Sequence, residues 1–386
     1  NSAQESAIQK INQCPSNTVL LHGITGSGKT NIYLTLARQQ LGQQKSVILL
    51  VPEIALTSQL VASFQNHFKN IFLLHSKQTE AERHLTWENI LTSNTPNVII
   101  GPRSALFAPI KDLGLIIIDE AHEPAYHQDQ SPKYSALRLA STMSRTVLGS
   151  ATPSVADYYL CSEKSAIVQL DQLAINSDKI ATTKIIDSTN RQNFKRHRLL
   201  SDELLESIED SLKNKTQTLI FHNRRGSAPL TLCEHCGWQA LCPNCLLPLT
   251  LHSDKFKLIC HTCGQNFPVP TSCPTCGNAN IRHKGFGTKY LESELNKLFT
   301  HARIARFDTD TEESNSLKNE YKKIKAGEID IMIGTQMIAK GFDFPKLTTL
   351  GVAQADAGLS LPDFSSEERT FQLITQVIGR AKRGHQ

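Results

Sequence analysis

The segment Gly23–Thr30, with the sequence GITGSGKT, has the residue types and spacing of a loop that binds nucleotide phosphates. It lies between the apolar run Thr18–Leu21, which predicts a strand, and the segment Asn31–Leu41, which predicts a helix. Glycines allow the backbone to turn its N–H groups towards phosphate oxygens, and the helix N-terminus adds a positive dipole end. We therefore predict a nucleoside triphosphate site. Its expected contacts are Gly23, Thr25, Gly26, Ser27, Gly28, Lys29 and Thr30.

Three side chains at this site have specific expected roles. Lys29 is expected against the β and γ phosphates of ATP, and the Thr30 hydroxyl is expected to complete the shell of the accompanying Mg²⁺. Gln4 precedes the loop on a helix predicted over residues 1–13. Its amide could read an adenine edge or could belong to a solvated helix glutamine, and the sequence leaves both interpretations open.

A second motif, Asp119-Glu120-Ala121-His122, follows the apolar run Leu115–Ile118. In enzymes with a phosphate loop, an apolar strand delivers an acidic pair so that one carboxylate holds Mg²⁺ and the other lies near the attacking water. We assign the first role to Asp119 and the second to Glu120. His122 is expected to couple the nucleotide state to the other half of the molecule.

Near the end of the chain, the segment Gln376–Arg383 has the pattern Q-x-x-G-R-x-x-R. Arg380 and Arg383 lie one helical turn apart and therefore share a face. Guanidinium groups that reach the γ-phosphate neutralise the charge that develops during phosphoryl transfer. The predicted catalytic residues are Glu120, Asp119, Lys29, Arg380 and Arg383.

Eight of the ten cysteines form four C-x-x-C pairs between positions 233 and 276. Tetrahedral zinc needs two such pairs, so the spacing predicts two structural zinc sites, each closed by four thiolates. The pairs could combine in a nested order or consecutively, and the spacing does not choose between these orders. The predicted ligands are Cys233, Cys236, Cys242, Cys245, Cys260, Cys263, Cys273 and Cys276.

Several polar segments are candidates for contact with a nucleic acid. The loop Glu123–Tyr134 has two tyrosines, two prolines and few aliphatic residues, so we expect it outside the core, where its rings could stack on unpaired bases. The alternative is an ordered loop that does not stack on bases. Arg224 and Arg225 follow a predicted strand and could contact DNA or lie in a solvated turn. The candidate DNA contacts are Arg103, Tyr126, Lys133, Tyr134, Arg224, Arg225, Thr335, Gln336 and Lys340, with Gly341 and Asp343 expected on the nucleotide side.

The elements that position these residues follow an α/β pattern. Strands that are apolar throughout alternate with helices, which predicts a parallel sheet covered on both faces. Ligands of such sheets bind at the carboxyl ends of the strands, where the polar motifs fall. The net charge of +5 is compatible with a nucleic-acid partner. No apolar run approaches the roughly 18 residues of a membrane span, and the polar N-terminus lacks a signal-peptide core, so we expect a cytoplasmic protein.

The order and the residues of these motifs resemble those of the PriA family of superfamily-two helicases. The hallmarks are PEIALT at Pro52–Thr57, GPRSALF at Gly101–Phe107 and an aromatic-rich loop after the acidic motif. The resemblance implies two RecA-like lobes with ATP in the cleft between them and 3′-to-5′ translocation on single-stranded DNA at forks. It also implies assembly of primosome partners and contact with single-stranded-DNA-binding protein in replication restart. We expect a monomer that associates with the bacterial nucleoid.

The resemblance also implies the domain organisation. Lobe one is expected over 1–162 and lobe two over 163–386, and the runs Ala166–Leu170 and Lys184–Asp187 predict the strands that open lobe two. The two-zinc insertion is expected over 230–280 within lobe two. The family implies the nested pairing, with Cys233, Cys236, Cys273 and Cys276 in one site and Cys242, Cys245, Cys260 and Cys263 in the other. Ala121 and Lys382 depart from the usual family residues. The chain lacks an initiator Met, and we expect it to be the motor piece of a longer protein, with lobe two truncated.

Two alternative functions remain open at this point. Because the D-E-A-H motif alone does not separate RNA from DNA, one alternative is an RNA helicase. The other is an ATP-gated scaffold that binds forks and primosome partners without unwinding DNA.

Overall fold

The computed structural model describes most of the chain, and it divides into two compact units, residues 1–180 and, in the main, 181–339 with 343–381. The described residues are 2–52, 59–76, 78–174, 182–188, 190–197, 199–222, 230–233, 235–246, 248–252, 256–260, 263–284, 288–307, 321–335, 344–360 and 363–381. None of the helices in these ranges is long and apolar enough to cross a membrane.

The first unit is built on a seven-stranded parallel sheet with the strand order β3-β4-β2-β5-β8-β1-β9. Strands β6 and β7 are two residues long each and form a separate antiparallel pair. In chain order, the elements are α1 (Ser2–Gln13), β1 (Thr18–Gly23), α2 (Lys29–Gly42), β2 (Ser46–Leu50), α3 (Gln59–His67), β3 (Ile71–Leu73), α4 (Glu80–Thr92), β4 (Val98–Gly101), β5 (Leu113–Asp119), β6 (His127–Gln128), β7 (Tyr134–Ser135), α5 (Ala136–Met143), β8 (Thr146–Ser150), α6 (Val155–Glu163) and β9 (Ile167–Leu170).

Both faces of this sheet are buried, as the continuous apolar strands predict. Along β2, Val47 and Leu49 join a core with residues of α1, α2 and α3, whereas Ile48 and Leu50 join a second core with residues of α5 and α6. Successive side chains of a strand point to opposite faces, so an uninterrupted apolar run supplies two cores at once.

The boundary of the first unit differs from the sequence expectation. We predicted that the strand near 166–170 opens the second lobe and that lobe one ends at 162. Instead, β9 pairs in parallel with β1, and the compact unit runs to residue 180. The segment Lys184–Asp187 was also predicted to be a strand, but the structure shows no strand there. An apolar run alone therefore does not establish that a segment is a strand, or which sheet a strand joins.

The second unit contains a four-stranded parallel sheet with the order β16-β17-β10-β18. Helices α7 and α8 cover one face, where Leu205 and Leu295 are fully buried. Its elements are α7 (Asp202–Lys213), β10 (Gln217–His222), α8 (Thr288–Leu298), β16 (Ile304–Phe307), β17 (Ile331–Gly334), β18 (Leu347–Ala353) and α9 (Ser366–Ala381).

Between β10 and α8 the chain forms a separate antiparallel sheet of five short strands in the order β14-β13-β12-β11-β15. The strands are β11 (Leu230–Cys233), β12 (Thr250–His252), β13 (Lys257–Ile259), β14 (Asn266–Pro268) and β15 (Ile281–Lys284). The prediction of an α/β fold with two parallel sheets and a cysteine-rich insertion in the second unit is confirmed.

Candidate functional site

The phosphate loop joins β1 to α2, as the sequence predicts. Gly26 and Gly28 have φ values of +84° and +82°, which favour glycine, and α2 begins at Lys29 directly after them. The Lys29 ammonium donates a hydrogen bond to the Gly23 carbonyl at 2.7 Å. Among the described residues, the buried Ser27 hydroxyl has no hydrogen-bond partner. The loop therefore brings an ammonium and a spare hydroxyl to the N-terminus of a helix, where anions bind favourably.

Gln4 lies against this loop on α1. Its side chain is buried, and its amide nitrogen donates to the Ser27 carbonyl at 3.2 Å. A Cβ at Gly28 would lie 2.1 Å from the same amide nitrogen, so Gly28 must lack a side chain for Gln4 to reach the loop. The alternative of a solvated helix glutamine is therefore wrong. The contact with an adenine edge stays a prediction.

Asp119 is held by a side chain that the sequence analysis missed. The Tyr33 hydroxyl donates to Asp119 Oδ1 at 3.0 Å. Tyr33 is buried on α2, and a Cβ at Gly149 on β8 would lie only 1.6 Å from its hydroxyl oxygen. Because β8 lies between β1 and β5 in the sheet, Gly149 leaves the space through which Tyr33 crosses to the acidic motif. The signal in the sequence was a tyrosine one helical turn after Lys29.

The charges around Asp119 are tightly coupled. Burial and the neighbouring Glu120 carboxylate raise the pKa of Asp119 to about 7, while Lys29 and the Tyr33 hydroxyl act in the opposite direction. Burial and the Asp119 carboxylate raise the pKa of Tyr33 well above its usual value, so its hydroxyl keeps its proton. Glu120 has a φ of +48°, an uncommon conformation for a residue with a side chain. The arrangement concentrates negative charge where a divalent cation would neutralise it.

His122 connects the acidic motif to the end of β8. Its Nδ1 lies 2.8 Å from the Ser150 hydroxyl oxygen, which in turn accepts the Thr152 backbone N–H at 3.0 Å. The imidazole also lies 3.8 Å from a Glu120 oxygen and 3.9 Å from a Glu123 oxygen. The contact joins two strand ends of the first unit. The coupling to the second unit stays a prediction.

The aromatic loop after this motif is only partly exposed, which corrects one expectation. Tyr126 is 1% exposed and its hydroxyl donates to the Asp119 carbonyl at 2.6 Å, so in this structure its ring cannot stack on a base. Burial also raises the pKa of Tyr126 well above its usual value. Arg103 donates to the carbonyls of Ala125 and His127 at 2.8 and 2.9 Å and so holds this loop in place. The sequence did not indicate that Tyr126 is a core residue, because the loop that contains it has two prolines and mostly polar residues.

Two other predicted contacts of this loop are accessible. Tyr134 is half-buried, and its ring lies edge-on to Phe107, with ring centroids 5.5 Å apart. Lys133 is exposed. Thr335 follows β17 and is half-buried. The remaining predictions lie outside the described residues or concern side chains that the structure does not describe: Arg224, Arg225, Gln336, Lys340, Gly341, Asp343, Arg380 and Arg383.

The eight clustered cysteines form two groups of four. In each group the sulfur atoms lie within 4.8 Å of one another. The members are Cys233, Cys236, Cys273 and Cys276 in one group, and Cys242, Cys245, Cys260 and Cys263 in the other. The structure thus brings together the nested pairs that the resemblance implies. The lone Cys14 and Cys161 lie in the first unit, half-buried and buried.

The geometry of both groups fits zinc. A Zn–S distance of about 2.3 Å in a tetrahedral shell separates the sulfurs by about 3.8 Å. The sulfur atoms are 3.7 Å apart for Cys233 with Cys276, 3.5 Å for Cys236 with Cys273 and 3.6 Å for Cys242 with Cys263. Four thiolates leave no open position, so a metal here would be structural.

All four C-x-x-C turns close in the same way. The backbone N–H after the second cysteine donates to the carbonyl of the first, at distances of 2.8 to 3.0 Å. Three of these following residues are glycines with positive φ: Gly237, Gly264 and Gly277. The fourth is Leu246, which has a φ of +56° despite its side chain. Each turn therefore needs a left-handed residue, which glycine adopts without strain.

Two family profiles match separate parts of the chain. The profile described as DEAD/DEAH box helicase matches residues 1–159, which contain the phosphate loop and the acidic motif. The profile described as the PriA DNA helicase Cys-rich region (CRR) domain matches residues 242–268. These residues lie within the segment from β11 to β15 that carries both cysteine groups, which we call the cysteine module.

Curated relatives match almost the whole chain. The replication restart protein PriA of Bacillus subtilis strain 168 is 40% identical over 376 residues, which are 94% of this chain and 46% of that protein. PriA of Haemophilus influenzae is 40% identical over 375 residues, 95% of this chain and 51% of that protein. The chain therefore spans about half the length of the curated relatives it matches.

Solved structures support the fold. RecG bound to a three-way DNA junction aligns with all of this chain and 41% of its own, with a TM-score of 0.55 and 17% identity. The DUF1998 helicase MrfA bound to DNA aligns with all of this chain and 44% of its own, with a TM-score of 0.54 and 15% identity. At this identity the likeness shows the architecture of the two lobes alone. The sequence identity to the curated relatives, together with the cysteine-rich profile, shows that the chain belongs to the PriA family.

Proposed function

We propose that this chain is the motor of a DNA helicase, which couples hydrolysis of Mg·ATP to 3′-to-5′ movement on single-stranded DNA at forks during replication restart. The observation that carries the proposal is that Tyr33 joins the phosphate-loop helix to the acidic motif at the carboxyl ends of the parallel strands β1 and β5. The membership of the PriA family supports the role in restart.

The chain's own residues suit the handling of Mg·ATP. Lys29 would leave the Gly23 carbonyl for the β and γ phosphates, and the N–H groups at the start of α2 would hold the phosphate oxygens. Thr30 and Asp119 would hold Mg²⁺, which supplies charge neutralisation at the phosphates when it is bound. Glu120 would orient the attacking water, while Tyr33 and Tyr126 keep the acidic motif in position.

The movement requires that nucleotide and DNA act on both units. Arg380 and Arg383 are proposed to approach the γ-phosphate when the lobes close, with Gly341 and Asp343 on the nucleotide side. Closure on ATP and opening after hydrolysis would move the lobes along one strand, as in other hinge cycles. The cysteine module would hold two structural zinc ions and assist unwinding and the docking of primosome proteins.

Further expectations follow from the family. We propose that the longer protein to which this motor belongs is a monomer in the bacterial cytoplasm, associated with the nucleoid. Single-stranded-DNA-binding protein and the primosome proteins are its proposed partners.

The direct test is ATP turnover with and without forked DNA that carries a single-stranded arm. We expect strong stimulation by the fork and its loss in Lys29→Ala, because the ammonium is needed at the phosphates. Lys10→Ala, which alters an exposed lysine on α1, is the matched control and should behave as the original protein. Unwinding of forked DNA that persists in Lys29→Ala would overturn the proposal that this chain is an ATP-driven motor.

A parallel measurement separates the alternatives. Stimulation by RNA equal to or greater than that by forked DNA would favour an RNA helicase. Fork binding without stimulated turnover would favour an ATP-gated scaffold.

A further inference from the structure

A cavity of about 560 Å³ opens at the carboxyl ends of three neighbouring strands, β3, β4 and β2. These strands form the edge of the first sheet opposite to the phosphate loop, which follows β1 on the far side of β5 and β8. We call this space the edge cavity. Its volume lies within the range of about 300–1,000 Å³ that small-molecule pockets occupy. It is therefore separate from the nucleotide site and large enough for a ligand.

Helix α4 supplies one wall of the edge cavity. Arg83, Trp87 and Ile90 line it and recur at helical spacing, so they share one face of α4. The start of the helix is fixed by a capping box between Thr79 and Glu82. Gln78 links the end of β3 to α4, because its amide nitrogen donates to the Leu73 carbonyl at 3.1 Å and to the Thr86 hydroxyl oxygen at 3.4 Å. The wall is thus positioned before any ligand arrives.

Aromatic residues from two other segments also line the edge cavity. Phe107 and Tyr134 line the cavity with their rings in edge-on contact. Phe107 is 53% exposed and Trp87 is 47% exposed, so both rings are accessible to a ligand. Flat, accessible rings of this kind are the surfaces on which unpaired bases stack.

The charge of the edge cavity has one sign. Arg83 and Arg103 line it, together with His75. No Asp or Glu occurs among the described residues that line it. His75 Nδ1 is buried and lacks a hydrogen-bond partner within the described chain. Aromatic faces, guanidinium groups and an unused imidazole nitrogen together complement a base attached to a phosphate.

We propose that the edge cavity holds one unstacked nucleobase of the single DNA strand, with Trp87 as its stacking surface and Arg83 near its phosphate. The inference rests on the proposed translocation on DNA and adds a base-binding subsite to it. Such a subsite would hold one base out of the stack at the edge of the first unit while the backbone continues past it.

The test uses the emission of Trp87. The chain has two tryptophans, so Trp238→Phe leaves Trp87 as the single reporter. Titration with an oligothymidylate, followed by anisotropy of a label on the oligonucleotide and by Trp87 emission, should show binding and quenching together. Trp87→Ala should weaken binding by roughly tenfold, the fold-change of about one lost base stack. Leu91→Ala, at another exposed position of α4 that does not line the cavity, is the matched control.

An oligonucleotide with abasic sites completes the test. The original protein and Trp87→Ala should bind it equally, because no base is available to stack. Binding of oligothymidylate without a change in Trp87 emission, and with equal affinity in Trp87→Ala, would overturn the inference and leave the proposed motor intact. A failure of every variant to bind the oligonucleotide would overturn both.

Discussion

Tyr33 is the residue on which the geometry of the nucleotide site depends most directly. It lies on the helix that begins at the phosphate loop, yet its hydroxyl holds the carboxylate at the end of β5. It reaches that carboxylate only because Gly149 leaves room on the strand between them. The hydroxyl of Tyr33 thus links α2 to the end of β5. Its loss should affect binding of the metal more than binding of the nucleotide.

Tyr33→Phe should raise the Mg²⁺ concentration needed for half-maximal ATP hydrolysis by about tenfold or more, because outer hydrogen bonds to a ligand typically change metal affinity by about 10–100-fold. Gly149→Ala should have the same effect, since its Cβ would displace the Tyr33 hydroxyl. The measurement is turnover against Mg²⁺ at saturating ATP. Tyr159→Phe, at an exposed tyrosine, is the control. An unchanged Mg²⁺ requirement in Tyr33→Phe would remove this positioning role.

The pKa of Asp119 leads to a pH prediction for the metal-free protein. Its folded pKa of about 7 is above the ordinary value of 3.8, so the folded state binds the proton more tightly than the unfolded state. The corresponding stability is present at low pH and is lost as pH rises from about 4 to about 7. Asp119→Asn should therefore gain in melting temperature relative to the original protein across that interval. Added Mg²⁺ should reduce the difference in melting temperature between Asp119→Asn and the original protein at pH 7. A difference that does not change between pH 4 and pH 7 would contradict the raised pKa of Asp119.

At the scale of elements, the four C-x-x-C turns form a repeated unit. Each ends in a residue with positive φ whose N–H donates to the first cysteine's carbonyl. Glycine fills three of these positions, and Leu246 fills the fourth with its side chain 73% exposed. A Cβ at Gly277 meets no atom within 4 Å, so any cost of a side chain there is conformational rather than steric.

Gly277→Ala should destabilise the cysteine module by about 1 kcal/mol, the usual cost of a left-handed conformation for a residue with a Cβ. Leu246→Gly reverses the change at the equivalent position and should produce a small gain, partly offset by the flexibility of glycine in the unfolded chain. The rate of zinc release to a coloured chelator reports both effects. Faster release from Leu246→Gly than from Gly277→Ala would contradict the expected order.

Removal of zinc tests the module as a whole. Chelation should abolish duplex unwinding while part of the ATP hydrolysis remains, because the phosphate loop and acidic motif lie in the first unit. Far-ultraviolet circular dichroism checks that the parallel sheets persist. Loss of hydrolysis together with unwinding would mean that the metals support the fold of the motor itself.

The features that the sequence predicted and those that it missed belong to different kinds of element. Apolar strands, the phosphate loop and the cysteine pairs depend on local periodicity and spacing, so the sequence identified them. The sheet that β9 joins and the burial of Tyr126 depend on contacts between distant segments. Gly149 was missed for the same reason, because its value is the space that it leaves for a side chain from another helix.

At the scale of the molecule, the chain consists of two compact units, each with its own parallel sheet and core. The first unit holds the phosphate loop and the acidic motif, and the last helix, α9, belongs to the second unit. A motor built in this way requires that hydrolysis depend on groups from both units. The arginines at the end of the chain are the proposed contribution of the second.

Arg383→Ala should lower the maximal rate of ATP hydrolysis by roughly a thousandfold or more, the typical effect of an arginine that stabilises phosphoryl transfer, with little change in ATP affinity. The adjacent Lys382→Ala is the matched control and should retain most of the activity. Stimulated turnover, together with binding of a fluorescent ATP analogue, separates the rate from the affinity. Equal losses in the two variants would indicate a general effect of charge instead of a specific contact.

The cysteine module begins and ends on adjacent strands. Its first strand, β11, pairs in antiparallel register with its last, β15, from Leu230 opposite Lys284 to Cys233 opposite Ile281. The points at which the chain enters and leaves the module therefore lie side by side. The parallel sheet of the second unit does not have to bridge a gap as wide as the module. A longer or shorter module would leave and rejoin the second unit at the same two neighbouring strands, so the size of the module does not set the register of β10 with its neighbours.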